Sequence, residues 1–344
     1  MPAPVSVTLG VLLALALSFG ALYLISRSRP GAQGWLGALR QASPFYLLVC
    51  GALICASWFA DALRLRFLAA GLGRTVEMRL IVPAIMMGNF LTLSTPFMVG
   101  GAPALIYTLS RGGLSLGQAS AVVVLGGVSS QLALACFNLI AALVLASHLP
   151  PGAWLGRAYL GMVVIYFAAI FAFVCLAQRT EKFQPRLQAA LGANQAAGRP
   201  RWWARPALTL FRLLEDFRGS VGLLTARRTG MLALSFGCAL VYFLLYFSVG
   251  LSALAALRVH GNVIVLFAWQ VVAATVPLFV PTPGGSGAAE LSAAYALGGA
   301  VPAAVLPAFI VLWRLFTFHM NLALGGIAAA VLTRRFTRRE GGLA

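Results

Sequence analysis

The chain has 344 residues, 61% of them hydrophobic and 9% charged, with a formal net charge of +18. That composition excludes a soluble globular domain and requires a polytopic membrane protein. Nucleic-acid binding is the usual suspicion for such a charge. Here the bases stand at the ends of apolar runs, where positive-inside topology puts them and where they attract anionic lipid headgroups.

Residues 5–25 are long enough to span a membrane. They lack a basic leader and an obvious small-residue cleavage site, so they read as a first span and not a removed signal. A loop with Arg27, Arg29 and Arg40 follows, then a second span over 44–63. Arg64, Arg66, Arg74 and Arg79 crowd the next segment. Residues 80–93 are apolar but reach only ~21 Å as a helix, short of a ~30 Å hydrocarbon core. They end in Ser94-Thr95-Pro96, then Gly100-Gly101-Ala102-Pro103, and a second short piece leads to Arg111. Residues 80–112 therefore read as a re-entrant hairpin.

Residues 116–147 form a helix longer than one crossing needs, so it must tilt or bend, with Gly126-Gly127 the expected place. The turn at 148–152 carries no Arg or Lys, and another span covers 153–177. The long polar stretch 178–228 holds Lys182, the only lysine of the chain, and nine arginines. Trp202, Trp203, Phe211, Leu214 and Phe217 interleave with these bases, the pattern of an amphipathic segment on a membrane surface. A span over 229–255 follows. Residues 263–280 are apolar and run into a break, 291–299 is too short to cross, and 303–332 is a long last helix. Arg334, Arg335, Arg338 and Arg339 sit in the tail.

The break, from Pro281 to Glu290, organises the rest. Pro281 and Pro283 cannot donate backbone hydrogen bonds, and Gly284, Gly285 and Gly287 make a continued helix costly. A break inside hydrocarbon must be buried in protein or line a wet cavity. Glu290, an acid in an apolar segment, is a functional candidate by default.

Positive-inside counting puts 178–228 and both termini in the cytoplasm and the 148–152 turn outside. The first hairpin then enters from the cytoplasm and the second from outside. The two halves share one order (span, broken hairpin, long helix) in opposite orientations. Thr95-Pro96 and Gly100-Gly101 echo Thr282-Pro283-Gly284-Gly285, and Gln131 and Asn138 have the spacing of Arg314 and Asn321. The loop at 26–43 is the misfit, since it lies outside with three arginines. The expected fold is all-α, about six full spans plus two re-entrant broken hairpins in an inverted-topology repeat. It forms one integral membrane domain: 1–177, a cytoplasmic linker at 178–228, 229–333 and a basic tail at 334–344. Inverted repeats with broken helices place a site near the bilayer midplane.

The run Pro281, Pro283, Gly284, Gly285, Gly287 and Glu290, followed by Arg314 in the last helix, resembles the membrane region of lysylphosphatidylglycerol synthases. Pro96, Gly100, Gly101, Pro103 and Arg111 fit the first half of that family more loosely. The resemblance implies translocation of a phospholipid or a polyprenyl- or glycolipid-type lipid between leaflets, with anionic headgroups as ligands. In fused relatives a soluble synthase domain follows. This chain reaches only to Ala344, so the resemblance implies the translocating part alone, with a separate lipid-synthesising enzyme as an expected partner and a homodimer as an open alternative. The Arg-, Ala- and Gly-rich composition points to a GC-rich bacterial genome and hence a bacterial cytoplasmic membrane.

A translocating site must desolvate a headgroup while the tails stay in lipid. Arg314 can grip a phosphate through paired hydrogen bonds. The Gly284–Gly287 backbone can add N–H donors at a helix start, and Glu290 can hold Arg314 until a phosphate displaces it. Against this stand structural readings. Glu290 and Arg314 make a fixed ion pair, the glycines serve close packing, Arg111 is a positive-inside anchor, and Asn89, Gln131 and Asn138 bond between helices. A lipid-headgroup enzyme is the second class of function. Only Asp61, Glu77 and Glu290 lie in or near apolar segments, few groups for acid–base work. A small-solute transporter or channel is the third. Cys50, Cys55, Cys136, Cys175 and Cys238 stand singly, and His148, His260 and His319 match no metal motif, so no cofactor is expected. No nucleotide-binding loop is present.

Overall fold

The computed structural model describes residues 4–28, 34–148, 159–169, 172 and 219–341. All regular structure among them is helical, as it must be where backbone groups in hydrocarbon find partners only within their own segment. In order come α1 (Pro4–Ser28), α2 (Trp35–Arg40), α3 (Pro44–Gly71), α4 (Met78–Ser94), α5 (Gly101–Arg111) and α6 (Leu116–Ala146). Then follow α7 (Tyr159–Ala169) and α8 (219–227). The second half holds α9 (Thr229–Ala256), α10 (Val263–Thr275), α11 (Ala288–Leu297), α12 (Leu306–Arg314) and α13 (Met320–Gly341). A π turn, Leu315–His319, joins α12 to α13 as one rod. Among the described residues five helices, namely α1, α3, α6, α9 and that rod, are long and apolar enough to cross a membrane. The chain is an all-α polytopic membrane protein.

Two expectations change. The second span does not stop at residue 63: α3 runs on to Gly71 and carries Asp61 and Arg64 into the interior. The basic tail is no loose end either, for α13 continues to Gly341 and buries Phe336. Gly126 is a point of close approach for Leu65 and Arg64 of α3, which need the space a side chain would take. Of the expected span at 153–177 the structure describes α7 and residue 172, and most of the 178–228 stretch lies outside the described residues.

The core pair is α3 against α9, antiparallel. The Ser43 amide donates to the Ala256 carbonyl at 2.9 Å at one end. At the other end Gly71 leaves room for Leu224 and Met231. Around this pair the halves interlock, α4 packing along α13 and α10 along α6. Each half's broken hairpin thus rests on the other half's long helix.

The hairpins themselves are α4 and α5, joined through a 3-10 turn at Pro96–Met98, and α10 and α11, joined through Val276–Phe279 and Pro283–Gly285. With 17, 11, 13 and 10 residues, none of the four helices reaches ~30 Å at ~1.5 Å per residue. They enter from opposite ends of the bundle: α4 starts near the end of α3, whereas α10 starts near the end of α9. Their tips touch. A Cβ on Gly285 would lie 3.2 Å from the Met98 Cε, and one on Gly284 would lie 3.1 Å from the Leu93 carbonyl oxygen.

Candidate functional site

Three left-handed glycines shape the second break, with φ of 59° at Gly284, 60° at Gly285 and 84° at Gly287. Any side chain would strain those conformations. The chain leaves Gly287 directly into α11, so Glu290 falls in its first turn. Its Oε2 accepts the Gly287 amide hydrogen at 2.8 Å. Its Oε1 meets the Arg314 Nε at 2.7 Å and accepts a hydrogen bond from the Ser18 hydroxyl of α1. Glu290 is fully buried and Arg314 is 5% exposed. The Arg314 Nη2 donates to the Ser286 hydroxyl at 2.9 Å, and its guanidinium lies 4.0 Å above the centre of the Phe318 ring. Glu290 and Ser286 thus engage Nε and Nη2, leaving the Nη1 amino group as the donor committed to neither. Three stretches of the chain meet here: α1, the glycine break with the start of α11, and the end of α12.

The backbone of the break is less available than its glycines suggested. The Gly285 amide donates to the Thr282 carbonyl, the Ser286 amide to the Pro283 carbonyl, and Gly287 to Glu290. Those donors hold the turn together in this conformation. Pro281 is exposed, while Pro283, Gly284 and Gly285 are buried. Gly284 backs onto the Phe318 ring, so this glycine seats the ring that stacks on Arg314.

The first-half residues have other duties. The Thr95 hydroxyl donates to the Leu91 carbonyl at 2.8 Å and accepts from the Gly100 amide at 3.0 Å, closing the turn after the exposed Pro96. Gly100 and Gly101 let α5 fold back on α4: a Cβ would lie 2.7 Å from the Leu91 carbonyl oxygen in one case and 2.7 Å from that of Gly88 in the other. Arg111 is exposed at the end of α5, its guanidinium 5.2 Å from the centre of the Tyr107 ring. Tyr107 meets Phe336 of α13 edge-on at 5.8 Å. Arg111 therefore shares an end of the bundle with the basic end of α13, away from the buried pair.

Asn321 ties three helices. Its Oδ1 accepts from the Trp58 indole at 2.9 Å and from Asn89 at 3.2 Å, and its Nδ2 donates to the Thr317 carbonyl at 3.0 Å. Asn138 and Gln131 of α6 accept hydrogen bonds from Tyr159 and Tyr166 of α7.

Sequence reasoning missed Ser18 and Ser286, two serines that hold the acid and the arginine. Ser286 stood inside the glycine run and was there to be chosen, whereas a lone serine in the first span carries no signal. It also read Arg64 as a loop base. Arg64 is 7% exposed and pairs with Asp61 at 2.7 Å. Its Nη1 donates to the Gly126 carbonyl and, at 2.6 Å, to the Ser130 hydroxyl of α6. Trp58 is level with Asn321, and α3 and α13 run parallel here, with Gly51 facing Phe316. Seven residues before Asn321 puts Arg314 ~10 Å to one side of that level, and six residues after Trp58 puts Arg64 ~9 Å to the other. Two buried acid–arginine pairs thus lie at two depths, with the asparagine knot between them.

Short glycine-broken helices whose tips meet beside a buried ion pair, inside an all-α bundle, mark an integral membrane protein of the broken-hairpin class. Within that class the chain belongs to the family described as Lysylphosphatidylglycerol synthase TM region, which matches residues 11–325. It is also 23% identical over 305 residues to a UPF0104 membrane protein of Archaeoglobus fulgidus, over 88% of this chain and 92% of that one. The family consists of multi-pass membrane proteins tied to lipid handling.

Proposed function

We propose that this protein moves a phospholipid or related lipid between leaflets, gripping the headgroup at Arg314 while the tails stay in the bilayer. The observation that carries the reading is the state of Arg314. It is buried, neutralised by Glu290, stacked on Phe318, and has one amino group engaged by neither Glu290 nor Ser286. A phosphate arriving at Nη1 takes over the guanidinium from Glu290 through paired, charge-assisted hydrogen bonds. Glu290 keeps its Gly287 and Ser18 donors meanwhile, so the acid is not stranded. The wall on the lipid side is α1, whose Leu12, Leu13, Phe19, Tyr23 and Leu24 are exposed. A headgroup passes beside such a wall more readily than through the core.

In this reading the two hairpins are re-entrant, one from each side, and the halves form an inverted repeat. The interlock of each hairpin with the opposite long helix supports that. The cytoplasmic end carries Arg111 and the end of α13, in a bacterial cytoplasmic membrane with both termini inside. The activity is transport, with no reaction performed on the lipid.

The test is leaflet exchange of fluorescent lipids in proteoliposomes, wild type against Arg314→Ala, with several headgroups and with an imposed proton gradient. Loss of exchange in a variant that still inserts and folds is the expected result. Absence of exchange by wild type under every gradient refutes the reading.

A further inference from the structure

We propose that His319 selects the headgroup, accepting a hydrogen bond from an O–H or N–H donor of a lipid whose phosphate is held by Arg314. The inference rests on the lipid reading above and names the class of lipid. His319 closes the π turn, and such one-turn widenings recur at functional sites. There its Nδ1 lies 3.0 Å from the Arg314 carbonyl oxygen. A carbonyl only accepts, so Nδ1 carries the hydrogen, and in the neutral ring Nε2 is left as a lone-pair acceptor. That Nε2 is buried and has no hydrogen-bond partner among the described residues. Buried acceptors are nearly always paired, and one that is not calls for a donor.

The ring stands where a headgroup at Arg314 would present one. It packs between Phe318, 5.1 Å away between ring centres, and Phe19 of α1 at 6.2 Å. It is within electrostatic reach of both Arg314 and Glu290. Ser18 and Phe19 are neighbours on α1, so a single stretch of that helix covers the Glu290 carboxylate and the His319 ring together. Phe19 is 60% exposed, which makes it the outer of the two rings packed against the imidazole. A headgroup entering past Phe19 meets His319 beside the arginine. The fitting ligand has a phosphate with a hydroxyl or a primary ammonium a few bonds away. A quaternary ammonium has no hydrogen to give and leaves Nε2 unpaired.

The experiment uses the full chain in phosphatidylcholine–phosphatidylglycerol vesicles with traces of acyl-chain-labelled lipids. Leaflet exchange is followed for phosphatidylethanolamine, for phosphatidylglycerol and for phosphatidylcholine, the trimethylated counterpart of the first. Wild type should exchange the two donor-bearing lipids roughly tenfold faster than phosphatidylcholine, the size of one hydrogen bond left unmade. In His319→Leu, which keeps the apolar packing, the donor-bearing lipids should slow until the three rates agree within about twofold. His319→Gln restores an acceptor and should keep part of the preference, and it decides the matter if the leucine variant does not fold. Equal wild-type rates for phosphatidylethanolamine and phosphatidylcholine overturn the assignment and leave the lipid reading standing, as does a leucine variant that still discriminates. Failure of wild type to exchange any lipid overturns both.

Discussion

Neutralising Glu290 tests the ion pair and its function together. In Glu290→Gln the side chain keeps its shape and one acceptor oxygen but loses its charge, which leaves the buried Arg314 guanidinium without a counter-ion among the described residues. Breaking a buried pair from one side costs about 3–5 kcal/mol, because the other charge is stranded. At an unfolding entropy near 2 cal/mol/K per residue over this chain, that is a fall of about 4–7 °C in the unfolding midpoint. Arg314→Gln strands the acid instead. It should cost toward the lower end of that range, since Gly287 and Ser18 still donate to the carboxylate. Removing both charges strands neither, so the double variant should unfold well above the sum of the two losses, with a coupling on the order of 2–4 kcal/mol. Thermal unfolding in detergent followed by intrinsic fluorescence reads these shifts, and lipid exchange is measured on the same preparations. Additive losses would refute the pairing. A double variant that is stable and still transports would show that the pair serves the fold alone.

Other outcomes follow from the same contacts. Gly284→Ala places a methyl against the Phe318 ring at a left-handed φ of 59° and should cost about 2–4 kcal/mol; Gly287→Ala, with only the Leu17 Cβ nearby at 3.8 Å but with φ 84° and ψ −56°, should cost about 1–3 kcal/mol from backbone strain alone. A Gly284→Ala loss of the same size in a Phe318→Ala background would refute the role of Phe318. Arg64→Ala strands the buried Asp61 and should lower stability by about 3–5 kcal/mol, whereas Arg66→Ala, exposed two residues on, should stay within about 0.5 kcal/mol. Asn321→Ala removes the acceptor shared by Trp58 and Asn89 and should cost about 1–3 kcal/mol, with a blue shift or a change in intensity of the Trp58 fluorescence in a variant lacking the other tryptophans. Unchanged emission there would mean the knot is not formed.

Much of this molecule could be read from the chain itself, because hydrocarbon permits so few structures. Long apolar runs can only become helices, and Pro281, Pro283 and the left-handed glycines can only break one. Glu290 and Arg314 stood out because charges are rare in such segments and costly when unpaired. The tertiary structure alone decided the rest. Ser18 reaches Glu290 across 272 positions, and an unremarkable serine in an apolar span announces no partner at that distance. Arg64 looked like a positive-inside base because sequence carries no depth. Only the approach of α6 at Gly126, with Ser130 and Asp61 on either side, makes a buried guanidinium affordable. Periodicity and composition report which residues avoid water. Which buried polar groups meet is set by how helices cross, and that is a property of the whole bundle.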